Sequence, residues 1–101
     1  MFISTFILPF LEIMNEQRIL EELLSLLEAK GVTIRHEAMG GGAGGLCTVK
    51  GVHIFFADTQ SSSADVAAAA AEAVRKIVDI EAIYLRPEIR QFIESQTPTR
   101  Q

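Results

Sequence analysis

Between Val32 and Phe56 the chain has room for three short strands and little else. The run "VTIRHE" (Val32–Glu37) alternates in polarity and opens on β-branched residues. "LCTV" (Leu46–Val49) and "VHIFF" (Val52–Phe56) are two further runs of the same kind, separated only by Lys50-Gly51. A two-residue link ending in glycine predicts a hairpin, though lysine resists the left-handed backbone such turns need. Short links favour antiparallel pairing, because a parallel crossover takes a dozen residues or more. The sequence therefore predicts a three-stranded antiparallel meander.

Helical patterns flank these runs. Asn15 is placed to cap a helix in which Ile19, Leu20, Leu23, Leu24 and Leu27 recur at three- and four-residue steps, and Gly31 supplies its stop. A second helix opens at Ser62, with Asp65 completing the cap, and carries Val66, Ala70, Val74 and Ile77 on one side. Its alanines, Ala67–Ala71, make it thin enough for close approach. "IEAIYL" (Ile80–Leu85) fits a helix end, a connector or an edge strand, and Pro87 opens a third short helix with Ile89, Phe92 and Ile93 as its apolar face. The order α-β-β-β-α-α is that of an α+β two-layer sandwich with helices packed on one face of the sheet.

The chain has 101 residues, 49% of them hydrophobic and 22% charged, which suits one globular domain. Residues 14–96 carry all of these patterns. Residues 1–13 form an apolar extension with no basic residue ahead of it, too short for a membrane span and interrupted by Pro9, while Met14 reads as a natural start. Residues 97–101 make a polar tail. With a net charge of −4 and nine scattered Lys and Arg, no basic footprint for nucleic acid or an anionic membrane is expected. One cysteine allows neither an internal disulfide nor a multi-cysteine zinc site and fits a cytoplasmic setting. No cofactor or metal motif stands out.

Five of the seven glycines fall between Gly40 and Gly45, just before Cys47. Strand alternation sharpens what lies around them. If Val49 pairs with Val52, one sheet face carries Cys47, Val49, Val52, Ile54 and Phe56, the expected core face, together with Val32, Ile34 and His36. A register with Ile34 opposite Val49 then sets His36 opposite Cys47, with Asp58 at the same end of the sheet. Cys47, His36 and Asp58 beneath glycine amides are the parts of a thiol nucleophile, its imidazole partner, an orienting carboxylate and an oxyanion site. The plainer reading is a small buried cysteine, a rim histidine and a turn-forming aspartate. Likewise Gly40, Gly41, Gly42, Gly44 and Gly45 make either an anion-binding nest or a mobile inter-strand loop, the latter favoured by the absence of P-loop spacing and of a following helix.

The second face is expected to carry Leu46, Thr48, His53 and Phe55 beside Thr33, Arg35 and Glu37, an apolar centre with a polar rim. Leu46, Phe55 and His53 are accordingly the candidate interface residues, covered either by a second copy or from within the chain. The segments "GGLCTVKGVHIFFADTQSS" and "IYLRPEIRQFIE", with the alanine-rich helix between them, resemble a group of short bacterial proteins of unknown function. That resemblance implies a small free-standing bacterial protein and no particular reaction, ligand or partner. The preferred functional expectation is a non-enzymatic module that self-associates through the second sheet face. The alternative is a small-anion binder or thiol enzyme built on Cys47, His36, Asp58 and the glycine loop.

Overall fold

A computed structural model describes residues 15–96; the extension 1–13 and the tail 97–101 lie outside the described residues. Helix α1 (Glu16–Ala29) begins where Asn15 Oδ1 accepts from the amides of Gln17 and Arg18. It ends at Gly31, whose φ of +90° turns the chain so that the amide of Val32 donates to the carbonyl of Leu27. Three strands follow: β1 (Thr33–Glu37), β2 (Gly44–Val49) and β3 (Val52–Asp58). Helix α2 (Ser63–Ile77) is capped by Ser62, which accepts from the amide of Asp65. An irregular stretch over residues 78–86, with no strand in it, leads to helix α3 (Pro87–Ser95).

The core is built on the alanine face of α2. Ala67, Ala70, Ala71 and Ala73 are buried together with Val66 and Val74. These small side chains let α1 lay Leu23 and Leu27 against α2, and let α2 lie on β2 and β3. Helix α3 adds Ile89 and Ile93 from the far side. The protein is thus α+β, with a three-stranded sheet packed against helices. No described helix is long and apolar enough to cross a membrane.

The sheet is not a meander. Its strand order is β1-β3-β2, with β3 central, antiparallel to β2 and parallel to β1. The β2–β3 hairpin has the expected register, Val49 opposite Val52 and Cys47 opposite Ile54. Ile34, however, lies opposite Phe55 and not Val49. A parallel crossover does need length, but residues 38–51 provide it by holding both a loop and all of β2. The loop over residues 38–43 passes across the end of β3 to reach the far edge. Two strand spacings, about 10 Å, are well within the reach of six residues.

Val32, Ile34 and His36 lie on the helix side as expected, but the hairpin presents the face opposite to the expected one to the helices. Phe55 and Ala57 are buried beneath them, and Ile34 and Leu46 pack against the same core. The open face carries Cys47, Val49, Val52, Ile54 and Phe56 from the hairpin and Thr33, Arg35 and Glu37 from β1, none of them buried. Counting apolar residues favours the wrong face because Val49 and Val52 sit at the turn end, where they are 50% and 49% exposed. Ala57, which extends β3 beyond Phe56, belongs to the covered face.

Candidate functional site

The candidate residues meet, or fail to meet, at the end of the sheet where β3 stops, the glycine loop crosses and α2 begins. Its organiser is Asp58, a 2% exposed carboxylate. Oδ1 accepts from the amides of Met39 and Gln60, both at 2.9 Å. Oδ2 accepts from the amide of Gly41 at 2.7 Å, that of Ala43 at 3.3 Å and the hydroxyl of Ser61 at 3.0 Å. Burial by itself raises the pKa of this carboxyl. The donors from Gln60, Met39, Ser61 and Gly41 outweigh that cost and hold it well below the usual carboxylate range. Two further bonds close the arrangement: the Gly40 amide donates to Gln60 Oε1 at 2.6 Å and the Ala43 amide to Ser61 Oγ at 2.8 Å.

The glycine loop is therefore a nest, and its anion is the protein's own. The amides of Gly40 and Gly41 that the sequence offers to an external phosphate or carboxylate are spent on Gln60 and Asp58. Gly44 serves a different need. With φ at +86°, it passes so close to β3 that a Cβ there would stand 1.9 Å from the Phe56 carbonyl oxygen. Gly45 lies opposite Phe56 in the β2–β3 ladder, and Gly42 and Gly45 line a hollow on the open face. The loop is a strap tied down from within by Asp58, Gln60 and Ser61.

Cys47 and His36 are not brought together. Cys47 is exposed on the open face of β2, one edge of the sheet, while His36 is exposed on the helix side of β1, the other edge. With β3 between them they stand at least about 10 Å apart on opposite faces, beyond any hydrogen bond. Asp58 has no lone pair to spare for an imidazole, since a carboxylate has about four acceptor positions and this one already meets five donors. The geometry thus holds no thiol–imidazole–carboxylate relay. Among the described residues no group of three or more His, Cys, Asp or Glu is placed to hold a metal ion.

The candidate interface residues shift as well. Phe55 is fully buried and Leu46 packs into the same core, so neither lies on the open face. His53 is half-buried on the helix side, its Nδ1 2.9 Å from the Thr48 hydroxyl across the hairpin. Arg86 and Arg90 are engaged internally. Arg86 meets Glu22 at 3.0 Å and Glu88 at 3.7 Å, and Arg90 donates to the Ile80 carbonyl at 2.7 Å.

Two concavities flank the strap. On the open face a shallow hollow of about 320 Å³ lies among Met39, Gly42, Gly45, Cys47 and Phe56. On the helix side a cleft of about 530 Å³ runs between α1, β1 and the start of α2. Sequence reasoning missed this cleft, because its walls come from segments some forty residues apart. It also missed Gln60 and Ser61 as partners of the loop. The Asx turn at Asp58, with Gln60 bonding back two residues, was the one legible signal there. No protein-family model, curated protein or solved structure matches the chain.

Proposed function

We propose that this protein works by contact and not by catalysis, as a small cytoplasmic module that pairs with a second copy of itself through its open sheet face. The observation that carries the reading is the row Cys47, Val49, Val52, Ile54 and Phe56, five apolar side chains on one face with no described helix over them. Val49 and Val52 are each about half exposed. Arg35 and Glu37 border this row, 2.7 Å apart, and the Arg35 guanidinium lies 5.8 Å from the centre of the Phe56 ring. An apolar centre with a charged rim of both signs is self-complementary, as a two-fold contact requires. The face is small, roughly 14 Å by 20 Å from its strand spacing and rise. A weak, transient pairing, below the size of stable interfaces, follows.

Sedimentation equilibrium from about 10 μM to about 1 mM tests this directly. A monomer–dimer equilibrium is expected, with Ile54→Glu shifting it to monomer while the far-UV spectrum is kept. A monomer throughout, or a dimer indifferent to Ile54→Glu, overturns the proposal.

A further inference from the structure

We infer that the cleft between α1 and β1 is a second contact site, which takes an extended peptide segment added as a strand to the free edge of β1 and carrying basic side chains on either side of an apolar one. Three independent features of the cleft converge on that ligand.

The first is the edge itself. β1 pairs with β3 on one side, and no described strand lies on the other. The carbonyl of Glu37 accepts from the amide of Thr59, so the peptide groups of Glu37 point inward to β3. By alternation those of Ile34 and His36 point outward. The edge strand is short and carries Arg35 and Glu37, but neither a proline nor a bulge interrupts Thr33–Glu37. The second is shape. Ile34 and His36, the residues whose backbone faces the edge, also line the cleft, with Leu20, Leu24 and Val66 around them as apolar wall. A strand added here would bond to the edge and place every second side chain into the cleft.

The third is charge. Glu21 and Glu28 line the cleft from α1, and neither pairs with a cation among the described residues. Seven residues of helix set them about 10 Å apart along α1. Two inward positions of an added strand, four residues apart, span about 13 Å. Lysine or arginine at those two positions therefore reaches both carboxylates, and the residue midway between them meets Leu20, Leu24 and Ile34. The chain's own first fourteen residues are a poor match, since they contain no Lys or Arg and do contain Glu12.

The probe is a capped seven-residue peptide with Lys at its second and sixth positions, Ile at its fourth and Thr elsewhere. It is titrated into the full chain at low salt and followed by amide chemical shifts. Saturable binding is expected, with shifts concentrated on residues 33–37 and the facing side of α1. A peptide with Glu replacing both Lys should bind about tenfold more weakly or worse, and the double substitution Glu21→Lys/Glu28→Lys should reverse that order. Both substitutions fall on exposed helix positions and leave the fold intact. Methylating the peptide nitrogens that face the edge should abolish binding. No saturation by about 1 mM, equal binding of the two peptides, indifference to N-methylation, or shifts centred on Ile54 and Phe56 would each overturn the inference.

Discussion

Adjacent phenylalanines on β3 offer the most direct measurement of which sheet face the helices cover. Phe55 is fully buried beneath them, while Phe56 is half-buried on the open face under Arg35. Truncating Phe55 to alanine leaves a ring-sized hole bordered by α2 and by Leu46 and Ile34, and α2's alanines have no side-chain length with which to fill it. Such changes cost about 3–5 kcal/mol. A domain of this size has a total stability of roughly 5–10 kcal/mol, so Phe55→Ala should lie close to unfolding, with Tm lowered by about 15–30 °C. Phe56→Ala loses a partly wet ring and one cation–π contact, together about 1–1.5 kcal/mol and a Tm shift of about 5–10 °C. Urea titrations followed by circular dichroism, run at a concentration where the protein is monomeric, give both values. If Phe56→Ala costs as much as Phe55→Ala or more, the helices lie on the other face and the assignment of the open face fails with it.

Asp58→Asn replaces an acceptor-only group with one that presents its own N–H to the loop amides, so exchange at Gly41 and Ala43 should accelerate by roughly an order of magnitude or more. The pH dependence has a definite sign. Because the folded carboxyl titrates below its unfolded value of about 3.9, its contribution is complete above that value and is lost as pH falls toward the lower folded one. Acid unfolding curves should therefore be shallower in Asp58→Asn, and superimposable acid limbs would refute the strap. At the hairpin turn Lys50 and Gly51 both have positive φ, at 53° and 80°. Lys50→Asn should raise Tm by about 2–6 °C, near 0.5–1 kcal/mol, and a lower Tm would contradict that turn geometry.

Much of the local structure was legible because its causes are local. Asn15, Gly31 and Ser62 with Asp65 each mark a helix boundary through bonds to residues a few positions away, and Pro87 marks one through its fixed φ. The β2–β3 register followed from a two-residue turn. What failed depended on choices between distant segments. Strand β1 could pair with β2 or β3, and alternation alone does not say which. The preference for one sheet face turned on Val49 and Val52, whose apolarity counted toward a face that the described helices leave open. Asp58 was recognised as a turn former, but its bonds to Met39, Gly41 and Ala43 span fifteen to nineteen residues. Those bonds exist only because the loop crosses β3, a crossing that the meander expectation excluded.

The crossing loop also couples two margins that share no ladder. β1 and β2 never touch, yet each continues directly into residues 38–43, and those residues are fastened to the strand running between them. Slackening the anchors at Asp58, Gln60 and Ser61 would loosen both margins together, whereas a disturbance at the Lys50-Gly51 tip would reach only one. The two flanks are thus tied to one another by the crossing loop as well as by β3 itself.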